Sequence, residues 1–334
     1  MKRFLYLGYY FKQADWSKLW RFASYEAKIN NLNPVWLLLN AILNSVSYNI
    51  SLLEYFQFHF SNKDDEEKKR WAGTGFMYEY QLKMNPPKSR LILDDKRLFA
   101  QEYSDFLIHQ VFTLDEIKRD KKLLSKLKEG SHNKIVLKYL DGKCGIGVEI
   151  LNASEYTDEE LITYMQRNNY DLIEAFITQH DDLNRLSPSA VNTVRIITQL
   201  NDQGGVDILG CRQRISVNSN VDNMAAGNLA AGIDEKTGQI NTLGYYSDIT
   251  KSPESVHPIT KVELMGFQVP KWDECLQLAK NAALHNTSNK SIGWDIVVTN
   301  NKVGLIEGNH DWCKLVWQIP VQKGLKSKLK PFIA

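Results

Sequence analysis

Cysteine is scarce in this chain of 334 residues, and the few cysteines are scattered. Cys144, Cys211, Cys275 and Cys313 form no CxxC pair, and no histidine lies at the spacing of a zinc site. This pattern argues against a disulfide scaffold and a structural zinc module, and it suits a reducing cytosol. An excess of one charge is also lacking, since 41 Lys and Arg are balanced by 39 Asp and Glu, for a net charge of +2. We therefore expect no nucleic-acid partner.

The sequence also lacks a long uninterrupted hydrophobic run. Gly8 and three tyrosines break the first ten residues, so no secretory signal is predicted. Asparagines and serines interrupt the most apolar window, residues 35–53, whereas a membrane-spanning helix needs about 20 mainly apolar residues. We expect this window to form a buried amphipathic helix, and the alternative is a helix lying on a membrane. The basic run at residues 323–330 is typical of an exposed tail that could weakly attract an anionic bilayer. A cytoplasmic protein, with at most a peripheral membrane contact, is the expected result.

What is present is a globular composition, with 43% hydrophobic and 24% charged residues, and a clear change of pattern along the chain. The length allows about two domains. Helical periodicity dominates residues 1–85 and returns over residues 94–127. Later segments are strand-like, with two predicted helices among them at 159–168 and 272–285; the predicted strands are 134–140, 148–151, 170–178, 191–200, 206–216, 240–246, 293–299 and 303–309. Strands that follow helices, rather than alternating with them, predict an α+β protein.

Two of these strand-like runs flank the polar turn at residues 300–302 and predict a β-hairpin. If pairing begins directly at that turn, Asp295 lies opposite Glu307, and Asn309 follows two residues further along the same face. Opposed carboxylates destabilise a strand pair, but a divalent cation reverses that effect. Oxygen ligands of this kind suit Mg²⁺. The alternative is a solvated face with a shifted register.

A second candidate site is the glycine-rich segment at residues 142–147, which separates two predicted strands. Its glycines, Gly142, Gly145 and Gly147, allow the backbone to approach an anion closely. Lys138 precedes them in a strand where it alternates with apolar residues, and a half-buried lysine is costly without an anion. Phosphate is the natural partner. The spacing matches neither a P-loop nor a dinucleotide-binding fingerprint, and an ordinary glycine hairpin is the alternative.

Arginines provide a third candidate site. Arg195 lies inside a β-branched strand, close to Asn192, and Arg212 and Arg214 follow on the next predicted strand. Guanidinium groups on neighbouring strands would suit phosphate or carboxylate recognition, because each is a planar and permanently charged fork. Salt bridges at a sheet edge are the alternative.

The order of these groups along the chain is more informative than any one of them. They are Lys96 after two aspartates, Lys138 with the glycine loop, Glu174 in an apolar stretch, Arg195, Asp295, Glu307 and Asn309. This series resembles the ATP-grasp enzymes, and in particular the sugar-transfer-associated branch found among bacterial polysaccharide genes. The finer match, over roughly residues 91–320, is carried by QH at 179–180, SAVNTVRIIT at 189–198, DNMAAGNLAAGIDEKTG at 222–238, HP at 257–258, GFQVPKW at 266–272, IGWDIVVT at 292–299 and LIEGN at 305–309.

The resemblance implies an ATP-grasp fold in which two α+β subdomains, residues 89–180 and 181–334, grip ATP after a helical region at residues 1–88. It also implies roles for individual residues. Lys96 and Lys138 would contact the phosphates under a flap formed by Gly142, Lys143, Gly145 and Gly147. The adenine hinge would include Glu174, Phe176 and Ile177, with His180 and Asn192 as further nucleotide contacts. Arg195 and Arg214 would face the transferred phosphoryl group, and Asp295, Glu307 and Asn309 would hold one or two Mg²⁺, or Mn²⁺.

The family chemistry implied is phosphorylation of a carboxylate by ATP, followed by attack of an amine on the acyl-phosphate. The expected substrates are a small carboxylic acid and an amine that could be sugar-linked, and the expected product is an amide used in capsule or O-antigen synthesis. Gly227-Asn228 replaces the paired glycines of many relatives, and Cys144 lies in the flap, so substrate identity is the least defined feature. Two alternatives are a kinase acting on a sugar or polyol, and a non-catalytic nucleotide-binding partner of a glycan assembly complex.

Overall fold

A computed structural model describes residues 2–129, 133–140 and 147–333. The α-helices of this part of the chain are α1 (Lys2–Lys12), α2 (Trp16–Asn30), α3 (Pro34–Tyr48), α4 (Leu52–Gln57), α5 (Asp65–Lys69), α6 (Thr74–Met84), α7 (Pro87–Asp94), α8 (Lys96–Glu102), α9 (Leu114–Arg119), α10 (Lys122–Glu129), α11 (Asp158–Arg167), α12 (Asp181–Leu186), α13 (Trp272–His285) and α14 (Lys314–Gln318). The strands are β1 (Val111–Thr113), β2 (Lys134–Lys138), β3 (Val148–Asn152), β4 (Leu172–Ala175), β5 (Val194–Leu200), β6 (Val206–Ile215), β7 (Leu229–Ile233), β8 (Ser291–Val298) and β9 (Val303–Asn309). The α+β prediction is confirmed.

Local sequence signals set the ends of the first helices. Asp15 caps α2 by accepting from the Lys18 amide at 2.9 Å, and Asn33 caps α3 just before a proline at its first turn. Asn31 and Asn49 end these helices in the left-handed conformation that asparagine tolerates well. The helical N-terminal region is therefore confirmed, and α3 packs against both α1 and α2.

The apolar window at residues 35–53 buries less of its surface than the sequence predicts. One face of α3 packs inward through Leu37, Ala41, Asn44 and Ser45. Its opposite face is apolar and exposed, so the helix is not amphipathic in the usual sense. In the described part of the chain, no helix has both the length and the apolar character needed to cross a membrane.

The smaller sheet has the strand order β1-β4-β2-β3, with antiparallel neighbours throughout. Ile117, Leu127, Ile135 and Leu161 form part of its core with helices α9, α10 and α11. The continuous helical pattern predicted over residues 94–127 is wrong in the middle. The chain extends after α8, forms β1 against β4, and re-enters a helix where Thr113 and Glu116 make a capping box.

The larger sheet has the order β7-β6-β5-β8-β9, again antiparallel. Helix α13, predicted at residues 272–285, covers one face, where Trp294 and Ile296 are fully buried. Phe99 of α8 and Tyr103, the residue after this helix, join this core. Residues 89–106 therefore pack with the larger sheet although the sequence placed them with the smaller one. The predicted strand at 240–246 is wrong, because this segment makes only isolated bridges beside β7.

The basic run at residues 323–330 is not an exposed tail. Residues 326–332 form a 3-10 helix in which Leu329 is fully buried. Lys328 donates to the main-chain oxygen of Leu209 at 3.0 Å, and the Lys326 ammonium lies 4.5 Å from the centre of the Phe76 ring. These contacts hold the segment against the body of the protein, which weakens the predicted role of the run as a free bilayer anchor.

A buried carboxylate in the helical region makes stability pH-dependent. Glu26 is 3% exposed; burial raises its pKa to about 7, and the Ser61 hydroxyl that donates to it lowers the pKa only in part. The native state therefore keeps a proton that the unfolded chain loses above about pH 4.5, and the free energy of unfolding falls as pH rises from there to about 7.

We expect Glu26→Gln to remove this fall in the free energy of unfolding with rising pH. The variant should match the wild type near pH 4 and exceed its free energy of unfolding by up to about 3 kcal/mol at pH 8. Urea unfolding at both pH values measures the difference. A pH-independent difference between the two proteins would contradict the assignment.

Candidate active site

The hairpin of β8 and β9 places Asp295 directly opposite Glu307, as the sequence predicts. The register near the turn differs from the expectation, since Val298 pairs with Val303 there. A β-bulge restores the predicted pairing: Leu305 faces Ile296, and the extra residue Ile306 moves Glu307 into register with Asp295. Without that bulge an isoleucine would occupy the position across from the aspartate. Bulges re-aim side chains in this way beside functional sites.

Asp295 is the counter-ion of two buried arginines, which the sequence did not predict. Arg195 donates to both carboxylate oxygens, through Nε to Oδ1 and through Nη2 to Oδ2 at 2.7 Å. Arg214 donates to Oδ2 at 2.6 Å and also pairs with Asp222 at 2.7 Å. Burial alone would raise the pKa of Asp295, but the two guanidinium groups hold it well below its usual range.

Arg212 differs from these two arginines. It lies on β6 directly opposite Arg195 of β5, yet its guanidinium donates to the main-chain oxygens of Trp317 and Cys211. Burial without a facing carboxylate lowers its pKa to about 10. It therefore fastens α14 to the sheet.

Glu307 carries the unbalanced charge of the site. Burial, and then the facing Asp295 carboxylate, raise its pKa. Asn309 donates from Nδ2 to Glu307 Oε1 at 3.1 Å. Among the described residues no three His, Cys, Asp or Glu side chains gather into a metal cluster. The oxygens of Glu307 and Asn309 nevertheless fit Mg²⁺, which commonly takes one or two carboxylates and completes its shell with water and phosphate oxygens.

A second cluster joins two residues of the smaller sheet and His109, which lies just before β1. Lys138 on β2 pairs with Glu174 on β4 at 2.5 Å, and His109 Nε2 lies 3.1 Å from the same carboxylate oxygen. Burial would raise the pKa of Glu174, but the Lys138 charge and the His109 hydrogen bond lower it to about 2. The sequence missed His109 because it assigned this stretch to a helix. Pairing of Val111 with Glu174 is what brings His109 here.

Lys96, Lys138 and Gly147, three of the predicted phosphate-binding residues, lie close together at the end of β2. Lys96, the first residue of α8, donates from Nζ to the Tyr139 oxygen at 2.9 Å. Gly147 has a φ of +74°, and a Cβ there would lie 2.0 Å from the Tyr139 ring, so only glycine fits. Gly142, Lys143 and Gly145 lie outside the described residues.

The predicted hinge begins with Glu174 inside β4 and continues through the two residues that follow this strand. The Lys134 ammonium lies 5.2 Å from the centre of the Phe176 ring, and Ile177 is half-buried beside it. His180 caps α12 and ties its amide to the Val298 oxygen at 2.8 Å, which links the hinge to the larger sheet. The hinge therefore lies where the two sheets join.

Asn192 has a structural role in this arrangement. Its amide nitrogen donates to Gln179, Ser187 and Ala190, and its oxygen accepts from Ser216. The residue is fully buried, and both polar atoms have protein partners. The predicted nucleotide contact is thus corrected to one that orders the loop entering β5.

No curated protein matches the chain by sequence. The ATP-grasp ligase PsnB, solved with a phosphomimetic variant of its minimal precursor, Mg and ADP, is 9% identical with a TM-score of 0.44, over 78% of this chain and 65% of that one. N5-carboxyaminoimidazole synthetase from Staphylococcus aureus, solved with ADP, is 8% identical with a TM-score of 0.40, over 70% and 52%. This chain therefore spans less than two thirds of the length of either structure.

A third similar structure, the D-cycloserine synthetase DcsG, is 11% identical with a TM-score of 0.41, over 74% of this chain and 73% of that one. The family model described as "Sugar-transfer associated ATP-grasp" matches residues 76–333, which is most of the chain. The resemblance drawn from the sequence is confirmed, and the chain belongs to the sugar-transfer associated ATP-grasp family.

Proposed function

We propose that the protein is an ATP-dependent ligase that activates a carboxylate as an acyl-phosphate and joins it to an amine. The observation that carries this proposal is the buried cluster of Asp295, Arg195 and Arg214 beside the unbalanced Glu307. Two fixed guanidinium groups next to a carboxylate and an amide suit a reaction in which negative charge grows on a transferring phosphoryl group.

Most of the predicted site residues have a part in this proposal. The ammonium groups of Lys96 and Lys138 would hold the ATP phosphates beneath Gly142, Lys143, Gly145 and Gly147, and the main chain of residues 174–177 would hold adenine. Glu307 and Asn309 would bind Mg²⁺, or Mn²⁺, and Asp295, which the two arginines already hold, would lie beside them. Bound there, one or two such ions would neutralise phosphate charge.

The chemistry balances without a covalent enzyme intermediate. A carboxylate oxygen of the substrate attacks the γ-phosphorus, and ADP leaves with the electron pair of the broken P–O bond. The amine nitrogen then attacks the acyl carbon, inorganic phosphate leaves, and the nitrogen loses a proton to form the amide. Arg195 and Arg214 would stabilise the charge on the phosphoryl group in the first step.

The family description supports a sugar-linked substrate. We propose an amino acid joined to a sugar acid, or to a related precursor of a bacterial surface polysaccharide such as capsule or O-antigen. A panel of uronic acids crossed with amino acids, with ADP release as the readout, tests this. Release that requires both a carboxylate and an amine supports ligation. Release with a sugar or polyol alone indicates a kinase, and ATP binding without any release indicates a non-catalytic partner.

Lys138→Ala tests the nucleotide site. We expect its ATP dissociation constant to rise by about 10- to 100-fold, because a charge-assisted hydrogen bond contributes roughly 1.5–3 kcal/mol. Calorimetric titration with Mg·ATP measures it. Lys121→Ala is the matched control, since Lys121 is an exposed lysine that pairs with Glu159 in the same subdomain. Equal affinities for both variants and the wild type would remove Lys138 from the site.

A further inference from the structure

The outer face of α3 is apolar from residue 35 to residue 43. Val35, Leu39 and Leu43 follow at four-residue spacing, and Trp36 lies beside them; Leu39 is 57% exposed and Leu43 is 65% exposed. The helix contains no charged residue at all. A surface helix of a globular protein normally carries charged or polar side chains on its solvent face. The apolar face of α3 therefore needs a partner.

The neighbouring helices extend this face. Leu5 and Tyr9 of α1 are exposed, as are Trp16 and Trp20 of α2, and both helices pack against α3. Ten of the seventeen exposed large apolar side chains in the described residues lie between residues 5 and 43. This concentration exceeds the scattered apolar residues of an ordinary surface and marks an interaction site. We call it the α1–α3 face.

Basic residues outnumber acidic residues in this region. Residues 1–50 contain six basic residues, Lys2, Arg3, Lys12, Lys18, Arg21 and Lys28, but only two acids. One of those acids, Glu26, is buried, and the other, Asp15, caps α2. Arg21 pairs with Asp248 of the larger sheet's loops at 2.7 Å, and the other basic residues leave an exposed surface that is cationic as well as apolar and aromatic.

A cationic recess adjoins the end of the α1–α3 face. Its volume is about 490 Å³, and its lining includes four basic residues, Arg3, Lys68, Lys69 and Lys326, and one carboxylate, Glu79. Lys69 also pairs with Glu66 at 2.7 Å and Lys68 lies 4.0 Å from Asp65, so the excess of positive charge is small. Ser47, one turn beyond Leu43 on the exposed strip of α3, also lines it. An anionic headgroup could thus be held beside the apolar surface.

We propose that the α1–α3 face docks on an anionic lipid bilayer, with these helices lying in the interface. Tryptophan is enriched at membrane interfaces, and apolar side chains combined with lysines give binding that depends on anionic lipid. Charge complementarity favours the bilayer over a second copy of this chain, because a two-fold contact through this face would bring like charges together. The surface is independent of the proposed ATP chemistry.

Vesicle co-sedimentation without ATP tests the proposal. We expect the wild type to bind phosphatidylcholine vesicles containing a quarter phosphatidylserine at least tenfold more tightly than pure phosphatidylcholine vesicles. Leu39→Glu should weaken that binding at least tenfold. Ile259→Glu is the matched control, because Ile259 is 56% exposed on a distant loop, and it should bind like the wild type. Thermal melts verify that each variant is folded.

Three results would overturn the proposal. They are wild-type protein that stays in the supernatant, equal vesicle binding by Leu39→Glu and the wild type, and a dimer that Leu39→Glu dissociates while no protein binds vesicles. If Leu39→Glu does not fold, Trp20→Ser replaces it with the same expected loss. Light scattering gives the oligomeric state.

Discussion

Asp295→Asn is expected to lower the free energy of unfolding by about 3–5 kcal/mol, because removing one partner of a buried ion pair leaves the other charge uncompensated. Asp295 is 2% exposed, and its carboxylate accepts from both Arg195 and Arg214. Asparagine has the same shape but carries no charge, and its amide nitrogen would point at a guanidinium group. Arg214 keeps Asp222 as a partner, but the Asp295 carboxylate is the only acid that the structure pairs with Arg195 within the described residues.

Urea unfolding at pH 7 measures this effect. Asp273→Asn is the matched control, since Asp273 is an exposed aspartate in the first turn of α13 and should change stability by no more than about 0.5 kcal/mol. If the free energy of unfolding of Asp295→Asn lies within about 1 kcal/mol of the wild-type value, the arginines do not depend on this carboxylate.

The hairpin that carries Asp295 and Glu307 was predictable because it depends on a local feature, the polar turn. Strict alternation from the observed Val298–Val303 pair would have placed Ile306 opposite Asp295, and only the bulge gives the predicted pairing. The arginine partners were not predictable, because they depend on the strand order β6-β5-β8, which joins segments about 100 residues apart. Strand alternation fixes which face a side chain occupies but not which strand lies beside it. The bulge at Ile306 was equally invisible in the sequence.

Other differences have similar causes. A three-residue strand such as β1 is too short to interrupt a helical periodicity, and His109 was missed with it. Asn192 looked like a ligand because a buried amide and a nucleotide-binding amide are the same residue type. The basic run near the C-terminus was predicted to be exposed because four lysines dominate its pattern, although its Leu329 is buried. Each error concerns which tertiary partner a local segment finds.

Glu307→Gln is expected to reduce magnesium-dependent turnover by more than about 100-fold. The reason is that loss of one electrostatic contributor to a transition state commonly lowers the rate by about 10² to 10³. The same change should leave the protein without ligand as stable as the wild type, or slightly more stable. Glu307 faces another carboxylate across the strand pair and accepts from the Asn309 amide, which a glutamine oxygen can also accept. Turnover and thermal melts, run at one pH with and without Mg·ATP, measure both effects.

This contrast with Asp295→Asn is what separates the two opposed carboxylates. Asp295 already has two cations in the structure, so its charge stabilises the fold, whereas Glu307 has a raised pKa and its charge opposes the fold until a cation arrives. Mg·ATP should therefore raise the melting temperature of the wild type more than that of Glu307→Gln. Glu274→Gln, at an exposed glutamate of α13, controls for the loss of one negative charge. A ligand-free Glu307→Gln that melts well below the wild type would make Glu307 a structural residue, and the proposed metal site would then lose its principal carboxylate.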